Sequence, residues 1–137
     1  MKKIMMIVND QFFIDKFKAQ FFNFEIYSYS SPQMFFSDLD YKKQLLLEKI
    51  NTTDIFLLDV EISKEENIFE SGIFELIACY RKKKSKVFSI SDYTQDEIFD
   101  IMGKIKIHNK MDYDMFLGKN LRGLEQAINI HSKIVLN

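Results

Sequence analysis

Four side chains of complementary chemistry stand at or just beyond the ends of apolar runs: Asp10 after KIMMIV, Asp59 at the end of DIFLLD, Ser91 at the end of KVFSIS, and Lys110 after IKIHN. Two carboxylates, Asp10 and Asp59, make the hard oxygen environment that Mg²⁺ prefers, and such a cation offsets charge on an incoming phosphate. A lysine pairs with phosphate oxygens as a point charge, and a serine hydroxyl donates to one of them. A carboxylate so placed, Asp59, can act as a nucleophile and form an aspartyl-phosphate. Taken alone, Asp10 is equally well read as a turn residue or helix cap.

These residues need a scaffold that brings strand ends together. Lys3 to Val8 is a short, nearly continuous apolar run, the pattern of a strand buried on both faces. Phe13, Phe17 and Phe21, with Ile14 beside them, then repeat at helical spacing. Phe24 to Tyr29 is a second, less apolar strand. Ser31-Pro32 starts the next helix as N-cap and first helical residue. Asp38-Leu39-Asp40 interrupts its pattern, so that two helices are expected before Asn51. Asp54 to Val60 is the most apolar strand and the expected centre of the sheet.

After the acidic stretch Glu61 to Ser71, Gly72 opens a helix carrying Ile73, Leu76, Ile77 and Tyr80. The basic run Arg81 to Lys84 at its end suits the negative pole of the helix dipole better than a nucleic-acid contact. Lys86 to Ser91 is the fourth strand. Thr94 and Glu97 have capping-box spacing before a stripe of Ile98, Ile101, Met102 and Ile105. Ile105 to Asn109 is read as the last strand. A terminal helix over about 113–135 follows, with Leu117, Leu121, Leu124 and Ile128 on one face. Strand and helix thus alternate five times, which predicts a doubly wound parallel sheet with helices on both faces and a site at the carboxyl ends of its strands.

The 137 residues, 47% hydrophobic, suffice for a single domain over 1–137. With 19 basic and 20 acidic residues, no global charge draws the chain to nucleic acid or a membrane surface. No apolar run approaches the roughly 20 residues that span a bilayer, and a cytoplasmic location is expected. The single Cys79 is read as a buried, inert thiol. His108 and His131 lack partners at metal-ligand spacing.

The segments IVND with Asp10, IFLLDV with Asp59, FSIS with Ser91 and HNKM with Lys110 resemble, in this order, the motifs of CheY-like response-regulator receiver domains of bacterial two-component systems. The resemblance covers essentially the whole chain and implies a flavodoxin-like, five-stranded parallel sheet. It further implies that Asp59 accepts a phosphoryl group from a histidine kinase or a histidine phosphotransfer protein, assisted by Ser91 and Lys110. Mg²⁺ would be held by Asp10, Asp59 and the backbone carbonyl of Glu61, with Asn9 engaged through a bound water. Such a chain is a signalling phosphoacceptor rather than an enzyme, and its output passes to a separate effector protein. The pattern of the terminal helix runs past Ile128 through His131 and Val135 and is read as a homodimer surface or as the beginning of a linker to an output domain.

Departures from that pattern are specific. Asn9 stands where the first acidic residue is usual, Met111 follows the lysine in place of proline, and Ile62-Ser63 replaces Met-Pro after the acceptor. Ile107 takes the aromatic switch position three residues before Lys110. These departures support a second reading, a degenerate receiver that binds partners independently of phosphorylation. A third rests on Asp59-Val60-Glu61-Ile62-Ser63, which resembles the DxDxT signature of haloacid dehalogenase-like phosphatases. There Glu61 replaces the second Asp, and the chain leaves little room for that family's core and cap.

Overall fold

The computed structural model describes residues 2–59, 72–92 and 115–134, with only the backbone described at 115, 116 and 131–134. Five strands, β1 (Lys3–Ile7), β2 (Glu25–Tyr29), β3 (Ile55–Asp59), β4 (Lys86–Ser91) and β5 (Met115–Gly118), form one sheet in the order β2-β1-β3-β4-β5. All four pairings are parallel, with Ile7 opposite Leu58, Asp59 opposite Ile90 and Ser91 opposite Gly118. This is the doubly wound, flavodoxin-like order.

Among the described residues the helices are α1 (Gln11–Gln20), α2 (Pro32–Tyr41), α3 (Lys43–Thr52), α4 (Ile73–Tyr80) and α5 (Leu121–Ile134). Their distribution follows from the alternation of side chains along each strand. Ile4, Met6, Ile55, Leu57, Phe88 and Ile90 point to one face, where Phe13, Ile14 and Phe17 of α1 and Leu124 and Ile128 of α5 cover them. Met5, Ile7, Phe56, Leu58 and Val87 point to the other, against Phe35 of α2, Leu46 and Ile50 of α3, and Ile73, Phe74 and Ile77 of α4. A strand with a helix layer on each side has no polar face, which is why IFLLD is buried at every position.

Local signals place the helix ends. Ser31 Oγ accepts from the Met34 N–H at 3.3 Å, with Pro32 in the first turn. The expected division into two helices is present but falls at Lys42, between α2 and α3, while Asp38-Leu39-Asp40 lie inside α2. Gly72 precedes α4 at φ +77°, a left-handed conformation that disfavours any residue with a Cβ. Arg81 caps the C-terminus of α4, and Lys82 pairs with Asp54, whose Oδ2 also accepts from the Lys3 N–H at 2.8 Å.

The structure corrects two expectations. The strand that pairs with β4 is Met115–Gly118, while Ile105 to Asn109 lie outside the described residues, and the terminal helix begins at Leu121 rather than near 113. Leu117, Leu121, Leu124 and Ile128 share a helical spacing only by chance, because the first of them belongs to the strand. Asn120 separates the two elements as an N-cap, its Oδ1 accepting from the backbone N–H groups of Arg122 at 2.9 Å and Gly123 at 3.2 Å. The second correction concerns Cys79, which is exposed: α4 buries positions 73, 74 and 77, and 79 lies on the opposite side of the helix. The stripe from Ile98 to Ile105, Glu61, Tyr93, His108, Lys110 and Met111 lie outside the described residues, as does the side chain of His131.

Candidate functional site

At the carboxyl end of β3, in the middle of the sheet, Asp59 is 1% exposed. A carboxylate this buried must have its charge balanced and its lone pairs occupied. Both conditions meet at Oδ2. The backbone N–H of Asn9, just beyond β1, donates to it at 3.2 Å, and the Lys119 ammonium lies 2.8 Å away. The ammonium is itself only 3% exposed.

Lys119 is therefore the cation that follows the last described strand, the position assigned from sequence to Lys110. Its backbone is fixed by the sheet edge, where the Lys119 N–H donates to the Ser91 carbonyl at 3.0 Å. The Lys119 side chain also reaches Asp92, with Nζ 3.5 Å from a carboxylate Oδ2 that is 67% exposed. One ammonium thus lies between a buried carboxylate at the end of β3 and an exposed one just past β4.

The other site residues fall as follows. Ser91 ends β4 and is buried, one residue beyond the partner of Asp59 in the strand register. Asp10 is the N-cap of α1, its Oδ1 accepting from the Phe13 N–H at 3.0 Å. The helix-cap reading of Asp10 is thus realised, and it places the carboxylate next to Asn9, whose amide touches Asp59. Among the described residues, no group of three or more His, Cys, Asp or Glu side chains is placed to hold a metal ion.

Sequence reasoning missed Lys119 and Asp92. The signal for Lys119 was MFLG-K-N, a short apolar run, a lysine and a capping residue in succession. Asp92 carried no signal beyond standing next to Ser91. Lys110 itself lies outside the described residues. Three residues before Lys119 stands Phe116, an aromatic, and directly after it Asn120.

Comparison with protein-family models and with curated protein sequences gives no match. Solved structures do match. A CheY-like response regulator receiver domain protein from Methanospirillum hungatei JF-1 superposes with a TM-score of 0.60 at 18% identity, covering 95% of this chain and 92% of that one. A two-component response regulator from Clostridium difficile gives 0.65 at 15% identity, covering 98% of both chains. A response regulator from Desulfuromonas acetoxidans gives 0.59 at 12% identity, over 98% of this chain and 99% of that one. The chain has the fold of the CheY-like receiver domains.

Proposed function

We propose that this chain is a signalling receiver that accepts a phosphoryl group on Asp59. The observation that carries the reading is the buried carboxylate at the end of the central strand with a buried ammonium 2.8 Å from its Oδ2. An ammonium in that position is where charge on a phosphoryl oxygen would be met. In the transfer, an Asp59 carboxylate oxygen bonds to phosphorus while the P–N bond of a phosphohistidine breaks, and the imidazole leaves with the electron pair. Lys119 turns from the carboxylate to the phosphoryl oxygens, and the Ser91 hydroxyl donates to another of them. The donor would be a histidine kinase or a histidine phosphotransfer protein, and a separate effector would read the result. The chain's role is signalling rather than turnover of a substrate.

The cofactor of this proposal is Mg²⁺, an ion that is held by one or two carboxylates and otherwise keeps its waters, and Asp10 and Asp59 are the carboxylates that would hold it. Among the described residues no denser cluster is present. Asn9 would contribute through a water, and the carbonyl of Glu61 is assigned by the resemblance alone. When bound, Mg²⁺ supplies positive charge against the incoming phosphoryl group. The work of this chain is to bury Asp59, hold Lys119 beside it and fix the Asn9 amide. Among the described residues no helix is long and apolar enough to cross a membrane.

The test is addition of beryllofluoride, an aspartyl-phosphate mimic, with Mg²⁺. Wild-type protein should show saturable binding by fluorine NMR and a mass increase with a small phosphodonor, and Asp59→Asn should show neither. Absence of both in wild-type protein across a wide Mg²⁺ range rejects the reading. A phosphorylation-independent interaction module is the second reading, supported by Asn9 and by the use of Asp10 as a helix cap. It predicts that partner affinity ignores both Mg²⁺ and Asp59→Asn.

A further inference from the structure

The contact that the receiver chemistry does not use is the one between Lys119 and Asp92. The Lys119 side chain is buried and already pairs with Asp59, yet its Nζ also lies 3.5 Å from the Asp92 carboxylate. The two carboxylates approach the ammonium from different strand ends, β3 and β4. Backbone geometry holds the arrangement, because the Lys119 N–H is bonded to the carbonyl of Ser91, the residue before Asp92.

We infer that Asp92 is a positioning residue that holds the Lys119 ammonium at the strand edge and competes for it with phosphoryl oxygens, acting as a built-in brake on occupation of Asp59. The inference rests on the phosphoacceptor reading of Asp59. Its physics is charge balance. Before transfer, the Lys119 ammonium faces both the Asp59 and the Asp92 carboxylates. A phosphoryl group adds negative charge that needs the same ammonium, and Asp92 both draws Lys119 away and repels the newcomer. Asp92 is 67% exposed, so its side chain can swing into water and release Lys119. Its effect is therefore a modest, salt-sensitive resistance rather than a block.

Three proteins test this: wild type, Asp92→Asn, which removes the charge and keeps the shape, and Asp92→Glu, which restores the charge. At low ionic strength Asp92→Asn should bind beryllofluoride with Mg²⁺ roughly twofold to fivefold more tightly than wild type, the range expected of a solvent-screened ion pair. Asp92→Glu should stay close to wild type, and added salt should close the gap. A second readout needs neither metal nor phosphoryl mimic. In protein labelled with ¹⁵N-lysine, the Lys119 ammonium resonance should shift in Asp92→Asn and remain in place in Asp92→Glu. Equal beryllofluoride affinity of wild type and Asp92→Asn at low salt overturns the brake, as does an unshifted Lys119 resonance. Failure of all three proteins to bind beryllofluoride while the resonance shifts rejects the phosphoacceptor reading itself and the brake with it.

Discussion

An ammonium that is 3% exposed is tolerable in a folded protein only if its charge is met, and Lys119 has Asp59 at 2.8 Å and Asp92 at 3.5 Å to meet it. The dependence runs both ways. Removing the lysine takes a full positive charge from Oδ2 of the buried Asp59, to which the Asn9 amide also donates. Lys119→Ala should therefore lower the unfolding free energy by about 3 kcal/mol near neutral pH, measured by urea denaturation, because removing one charge of a buried pair leaves the other less compensated. It should also abolish beryllofluoride binding. Lys110→Ala should retain that binding, and the reverse pattern would return the site lysine to the position first read from sequence. Asp10, Asp59 and Ser91 were legible because each ends or follows an apolar run that is a strand. The lysine was not, because IKIHNK and MFLGK offer the same local signal of a short apolar run followed by a lysine. What marks MFLG as a strand is its pairing with β4, a tertiary fact: Phe88 to Ser91 align with Met115 to Gly118.

Between elements, β2 and α2 are fastened by a polar contact that gives the fold an alkaline limit. The Tyr29 hydroxyl donates to Asp38 Oδ2 at 2.7 Å from a ring that packs edge-on to Phe35. Burial first, then the hydrogen bond to Asp38 and that residue's negative charge, push the Tyr29 hydroxyl well above its ordinary value of 10.0. A raised folded-state value means that the neutral form stabilises the fold fully below pH 10.0, and that this contribution is lost as pH rises toward the folded value. Above the unfolded value only the unfolded chain releases the proton, so stability should fall by about 1.4 kcal/mol per pH unit from this group. Urea titrations between about pH 9 and 11 should show that slope in wild type and a shallower one in Tyr29→Phe. Parallel slopes would remove Tyr29 from the account. The start of α2 was readable from Ser31-Pro32, and its end from the polar interval before Lys42. The start of α5 was not, because a leucine spacing that suits a helix ran back across Asn120 into β5, and hydrophobic spacing alone cannot mark where a strand stops.

At the scale of the whole molecule the sheet is a wall between two cores, and strand alternation decides which core each residue joins. Ile4 and Ile55 are register partners on neighbouring strands and belong to the same cluster, with α1 and α5. Ile77 belongs to the cluster on the far side, with α2, α3 and α4. A cavity opened beside Ile4 can relax into its own layer, but the backbone ladder of β1 and β3 stands between it and Ile77. Ile4→Ala should cost about 2–5 kcal/mol, and Ile55→Val or Ile77→Val about 0.5–1.5 each. The double variant across the sheet, Ile4→Ala with Ile77→Val, should be additive within about 0.5 kcal/mol, while Ile4→Ala with Ile55→Val should depart from additivity by more than that. Chemical denaturation of the three single and two double variants made on Ile4 and its two partners, beside wild type, reads both cycles. Equal coupling in the two would mean that the layers respond as one core, and that a change at Asp59 on the central strand is not confined by the sheet to one helix layer.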